Sequence, residues 1–350
     1  MNIRLKTLPF LVVTTLASAT ISANSDVQLY GQANLSLDHL DAGEGIANEG
    51  FNVSSNNSRL GFRGETKFDD HLSAFFQVEA TVQLDNGAAL SSDRDTFVGF
   101  KGDWGQLRGG RFDTPLKTLR NRTDLFGNQV GDARNILRSD ATANGGGGAN
   151  NWWDERLANS IAYRSPEFGG GFIANLQYSS NQTAATNNTS DNASYSASLE
   201  WKKDSLWIAI AHEDSVKDSA DPTAERSATR IAVSYEAGDL LLNGLYQKSE
   251  DPDNDAYGVG ARYKLNDKLA LKAQYYTLNT DADELGSSLA AVGVDYRYAR
   301  NLLFYVNYAS VSNEDLANRS PYRQGRTDNT LDPAIGETVT GLSIGTSYRF

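Results

Sequence analysis

Apolar and polar residues alternate along most of this chain with a period of two. In "VQLYGQANLSL", Val27, Leu29, Gly31, Ala33, Leu35 and Leu37 share one face, and Gln28, Tyr30, Gln32, Asn34 and Ser36 share the other. That period is the mark of a strand with one apolar and one polar side. "SRLGFRGETKF", "TRIAVSYE" and "AYGVGARYKL" repeat it. The alternation predicts strands near 27–38, 58–68, 71–84, 93–101, 105–112, 157–165, 171–180, 192–202, 205–213, 227–236, 240–249, 256–265, 268–278, 289–298, 302–311 and 338–350.

The connections fall into two kinds. "GDWG", "KKDS", "EAGD" and "YARN" are tight turns, whereas "NQTAATNNTSDN" and "SVKDSADPTAER" are long and polar. Short turns at one end and long loops at the other describe an up-and-down meander. About sixteen strands is an even number in the range of closed outer-membrane barrels, and a barrel of that size keeps an aqueous channel. A soluble sandwich of this length needs two domains and a linker, and no Pro-rich or Ser-rich linker is present. Tyr263, Tyr275, Tyr296, Tyr298 and Tyr348, near predicted strand ends, suit aromatic girdles at the membrane interfaces.

The start of the chain changes the picture. Arg4 and Lys6, the apolar "LPFLVVTTL" and a small-residue site ending at Ala23 read as a cleaved secretory signal over 1–23, with a cut after Ala19 as the alternative. Residues 24–350 then form a single transmembrane barrel domain. After the signal no stretch approaches the roughly 18 consecutive apolar residues of a membrane helix. Formal charge is −12 for the whole chain and about −14 without Arg4 and Lys6, so nucleic acid is not an expected partner. There is no cysteine, which excludes disulfides, thiol chemistry and thiolate metal sites.

Several motifs carry no chemistry. "DPDNDA" (251–256) places carboxylates like a calcium loop but lacks the glycine at its sixth position and has Arg262 where a bidentate glutamate is required. It reads as a solvated surface loop, with divalent bridging to lipopolysaccharide as the alternative. "GGGG" (145–148) has no following Lys-Ser/Thr and reads as a hinge. Trp152 and Trp153 are expected to pack the end of the long segment in which they lie, with a sugar-stacking platform as the alternative. A barrel lipase would need His39, His71 or His212 as base, and none has a serine-hydrolase setting. No cofactor, no metal and no catalysis are expected.

One segment breaks the alternation. "NRTDLFGNQVGDARNILR" (121–138) sets three arginines and two aspartates, with Arg120 just before them, between regular strands. Together "VQLYGQANLSL", "SRLGFRGETKF", "RDTFVGFKGDWGQLRGGRFDTP", "ERLANSIAYRSPEF" and the terminal "SIGTSYRF" resemble the general porins of Gram-negative bacteria, trimeric 16-stranded diffusion channels. The resemblance implies an all-β, 16-stranded antiparallel transmembrane barrel whose loop after the fifth strand, here 113–156, folds inward and narrows the lumen. It implies wall arginines at Arg59, Arg94 and Arg156, faced by loop carboxylates at Asp124 and Asp132. Gln32 stands where the family often has lysine, and Asn128 where some members carry a second carboxylate. Arg63 and Arg108 share the inward parity by alternation. An unpaired charge on the lipid face costs roughly 2 to 4 kcal/mol at mid-membrane, which also argues for lumen positions.

The resemblance further implies a homotrimer in the cell outer membrane, contacts with lipopolysaccharide and outer-membrane lipids, and delivery by the barrel-assembly machinery, for which Tyr348 and the terminal Phe350 form the recognition signature. The expected function is passive diffusion of ions and small hydrophilic solutes. A substrate-selective channel for sugars or acidic solutes, and a structural or adhesive barrel, are the alternatives. The acidic chain and the arginine-rich constriction argue in opposite directions on ion preference.

Overall fold

Strand-forming residues that alternate in polarity produce, in the computed structural model, a sheet turned inside out. The structure describes residues 25–46, 50–138, 153–180, 193–216, 225–250, 253–281, 283–328 and 331–350. The proposed signal, the "GGGG" stretch and Trp152 lie outside them. The strands are β1 (Ser25–Asp41), β2 (Phe51–Ser55), β3 (Arg59–Lys67), β4 (Ser73–Thr81), β5 (Thr96–Gly102) and β6 (Gly105–Asp113). After two helices, α1 (Pro115–Thr123) and α2 (Arg134–Leu137), come β7 (Arg156–Arg164), β8 (Phe172–Ser179), β9 (Ser194–Lys203), β10 (Leu206–Val216), β11 (Glu225–Ala237) and β12 (Leu240–Glu250). The last are β13 (Asn254–Lys264), β14 (Leu269–Thr280), β15 (Ser287–Ala299), β16 (Leu302–Asn313) and β17 (Thr338–Arg349).

Each strand pairs antiparallel with its sequence neighbour, and β1 closes the ring by pairing with β17 from Gln32↔Arg349 to Asp41↔Thr340. β2 and β3 both pair with β1 and are two halves of one stave, so the barrel has sixteen. The break lies at Asn57, in the left-handed region at φ 55°. Its amide donates to Asn128 at 2.8 Å, while the neighbouring Asn56 donates to Ser36 at 2.7 Å and to the Tyr305 hydroxyl at 3.1 Å. The sequence expectation of one strand over 58–68 missed β2, a five-residue stretch whose alternation is limited to Phe51 and Val53.

The outer face is apolar. Val259, Val98, Leu176, Val292 and Ile344 are exposed, while Asn34, Asn243, Gln274 and Asn307 on the inner face are buried. In water such exposure would be an aggregation hazard; in a bilayer it is the contact surface with lipid. Tyr263, Tyr296, Tyr298 and Tyr348 stand exposed near the short turns, as a girdle requires. Tyr275 lies nearer the middle of β14, a departure from the expected strand-end position.

Two apolar clusters sit inside the barrel. In one, Leu116 and Leu119 of α1 and Trp153 pack on Trp207, Ala209, Ala211, Ala228 and Ala232 of β10 and β11. The alanines matter because only small side chains leave a helix room against the inner wall. In the other, Phe126, Val130, Ala133, Ile136 and Leu137 pack against β12 to β17 and against Tyr322, which belongs to the connection between β16 and β17. The segment after β6 therefore runs along one side of the lumen, and open space remains against the opposite wall.

Candidate pore constriction

The inward turn begins with a bulge. Gly110 sits at φ 146°, where an added Cβ would fall 2.2 Å from the Thr96 carbonyl oxygen, and the β6–β7 register shifts between Gly110 and Phe112. A bulge bends its strand and re-aims the side chains after it. Asp113 consequently meets Arg156 across the ladder, and pairing stops. Thr114 then caps α1, its hydroxyl accepting from the Lys117 amide at 3.3 Å, and Pro115 supplies the preset φ at the first turn. With Leu116 and Leu119 against the wall, Lys117 and Asn121 line the remaining gap.

A buried arginine of the wall holds both ends of this segment. Arg230 on β11 donates to the Leu116 carbonyl at 2.9 Å and to Asp154 at 2.7 Å, and both charged side chains are fully buried. Arg120 approaches the same Asp154 at 3.7 Å. Arg230 was overlooked because the alternation marks only its inward direction, and the distant partner is set by the loop's path. Trp153, as expected, packs the loop's end; its burial leaves no open face for stacking on a sugar.

The gap opposite holds about 450 Å³ and brings Arg59, Arg94 and Arg156 together on the wall. Their carboxylate partners differ from the expected ones. Arg59 lies 3.4 Å from Glu79, and Arg94 bonds the same Glu79 and the Asn57 amide oxygen. Arg156 bridges Asp95 at 2.6 Å and Asp113 at 3.0 Å, and Lys117 also pairs with Asp113 at 2.9 Å. Lys272 and Asp295, 3.1 Å apart, line the gap on the β14–β15 side. Glu79 was legible as an inward acid, since Val78 faces out. Asp95 was not, because adjacent residues of a strand point to opposite sides, whereas β5 starts only at Thr96 and leaves both Arg94 and Asp95 free to face the gap.

Asp132 lies outside the gap, and Asp124 lines it without bonding a wall arginine, which corrects the expected arrangement. The Asp124 side chain turns into the loop, accepting from the Phe126 and Ala133 amides at 3.0 and 3.1 Å and from Gln274 at 3.0 Å, with Arg120 at 3.6 Å. Burial, and then the neighbouring Asp132 charge, push the Asp124 carboxyl up to about 7. Asp132 is fully buried and pairs with Arg134 at 2.5 Å, and Arg134 also donates to Asn128 at 2.8 Å. Arg134 and the preceding Arg120 thus pair within the loop region, and Arg138 bonds Glu155. Local peptide geometry explains the correction: a segment with little regular structure must satisfy its own backbone amides, and these aspartates supply the acceptors.

Of the weaker candidates, Arg63 lies on the inner wall outside this gap, donating to Gln28 at 3.0 Å beside the Tyr30 ring. Arg108 sits over the rings of Phe97 and Phe112 at 5.0 and 4.1 Å and faces a separate recess.

A closed sixteen-stave barrel with an inner loop and a charged gap has known counterparts. A family model described as Gram-negative porin matches residues 11–316. This chain belongs to the Gram-negative porin family. As a porin it is a β-barrel of the outer membrane and a passive channel. Its sequence is 26% identical over 363 residues to outer membrane porin protein 32 of Delftia acidovorans, covering 95% of this chain and 97% of that protein. It is 23% identical to the major outer membrane protein P.IB of Neisseria lactamica over 254 residues, 69% of this chain and 70% of that one. With the P.IB protein of Neisseria gonorrhoeae the match spans half of each chain, 51% and 50%, at 28% identity. Among solved structures, an anion-selective porin from Comamonas acidovorans superposes at a TM-score of 0.81 with 23% identity, covering 93% of this porin and 100% of that chain.

Proposed function

We propose that this porin passes small hydrophilic anions in preference to cations, through the gap between the inner loop and the wall arginines. The observation that carries the reading is the gap's charge. Arg59, Arg94, Lys117, Arg156 and Lys272 line it against Glu79, Asp95, Asp113 and Asp295, while Arg120, Arg134 and Asp124 at its edge pair within the loop region. Asp124, buried and shifted toward neutrality, weighs least among the acids. Opposed charges across a narrow, wet gap orient passing dipoles, and the basic excess lowers the barrier for anions. The anion-selective structural counterpart agrees with that preference.

The proposed assembly is a homotrimer; Vibrio cholerae OmpT, in its trimer form, shares the fold at a TM-score of 0.68 and 18% identity. Tyr348 and Phe350, with ring centroids 5.9 Å apart and Phe350 exchanging backbone hydrogen bonds with Gly31, would serve the assembly machinery as a signature at the closing seam. Lipopolysaccharide would meet the long-loop rim. The leader over 1–23 and the limits of the inner loop at 113 and 156 belong to the same reading.

Planar-bilayer recording tests it. The unaltered protein is expected to close in three equal steps and, in a potassium chloride gradient, to show a reversal potential of the sign set by chloride. A cation-signed potential would overturn the anion reading. A folded protein without conductance would favour a structural barrel.

A further inference from the structure

On the short-turn side of α1, a recess of about 450 Å³ opens between the helix and the inner wall of β6 to β9. It holds more positive charge than its own carboxylates neutralise. Glu200 is engaged by Arg164 at 3.3 Å, by Asn175 at 2.8 Å and by the Trp207 indole at 3.1 Å. Asp113 is engaged by Lys117 and Arg156, and it also accepts from Asn121 at 3.1 Å. Arg108 on β6 and Arg122 on α1 remain. Among the described residues neither forms an ion pair; Arg108 rests on Phe97 and Phe112, and Arg122 lies 4.5 Å over the Trp207 ring. Stacking on an aromatic face fixes a guanidinium plane and leaves its edge donors free to take a carboxylate.

We propose that this recess is a binding subsite for small dicarboxylates, with Arg108 and Arg122 each taking one carboxylate. The amide of Gln106 on the same wall supplies donors for further oxygens. Two separate guanidiniums, one on the wall and one on the loop helix, favour an anion with two charged ends over a compact one. A solute held here stands beside the constriction, so the site would raise the local concentration of dicarboxylates in the lumen. That transport consequence rests on the channel reading above; the binding itself does not.

Isothermal titration calorimetry on the detergent-solubilised protein tests it, with succinate as probe and acetate and sulfate as comparators. Succinate is expected to bind saturably and at least roughly tenfold more tightly than either comparator, the worth of one charge-assisted contact. The R108Q/R122Q double variant, which leaves Arg59, Arg94 and Arg156 in place, is expected to weaken succinate by at least about tenfold. Arg122 is exposed on the helix, so Arg122→Gln alone gives the same direction of change while leaving Arg108 and the other wall side chains unaltered. No saturable heat with the unaltered protein, equal binding of sulfate, or unchanged affinity in the variants overturns the dicarboxylate subsite. In bilayers, succinate should lower chloride current saturably in the unaltered channel and not in the double variant. A protein that binds succinate yet carries no current overturns the channel reading and leaves the subsite standing.

Discussion

Arg156 stands between two carboxylates, Asp95 and Asp113, and its charge decides whether that edge of the gap is basic or acidic. Unit charges 4 Å apart interact by about 1 kcal/mol in water, enough to change relative permeability by a factor of about five. Arg156→Glu is therefore expected to move the reversal potential in a salt gradient toward cations. An unchanged potential would place Arg156 outside the ion path. Asp124 makes the preference depend on pH. Its carboxyl, raised to about 7 by burial and by Asp132, is ionised above that value and neutral below it. Anion preference should rise as pH falls from 8 to 6, and Asp124→Asn should remove the step. By linkage, a carboxyl raised on folding favours the folded state increasingly as pH falls through its folded value, so protonation also steadies the loop. A flat profile in the unaltered protein would contradict both statements.

At the scale of elements, the inner loop owes its position to the wall it lies on. α1 needs the alanines of β10 and β11, and both ends of the loop need Arg230. Removing one member of a buried ion pair leaves the other uncompensated, at a cost of about 3 to 5 kcal/mol. Arg230→Ala should lower the thermal midpoint, and single-channel conductance should become larger and noisier as the loop leaves the wall. Thermal melting and bilayer recording together check this; a quiet channel of unchanged size would show that the apolar cluster alone holds the loop. The wall arginines were legible through the family resemblance, because Arg59 and Arg156 open β3 and β7 and Arg94 stands two residues before β5. The loop's aspartates were misplaced because their partners are set by turns and local amide satisfaction, which carry no periodic signal.

For the whole molecule, the lipid face can be tested without reference to the channel. Val259 on β13 is exposed on the outer wall. Val259→Arg is expected to cost roughly 2 to 4 kcal/mol if the site is at mid-membrane, measured by urea unfolding in vesicles, and a cost near zero would place it at an interface. The sequence alone determined the barrel: a two-residue period repeated in sixteen staves states which residues face lipid and which face water, because side chains of a strand alternate by geometry. It also determined that the alternation fails over 121–138, and it named the wall arginines. Only the tertiary structure decided which carboxylates meet them. Glu79, Asp95 and Asp113 reach the gap through inward parity, a strand that starts late and a bulge at Gly110, while Asp124 and Asp132 turn inward to satisfy the loop's own amides. Periodicity fixes the direction of a side chain on a strand, but the partner it meets depends on where a loop crosses the lumen, and that path follows from packing against Ala209, Ala228 and their neighbours.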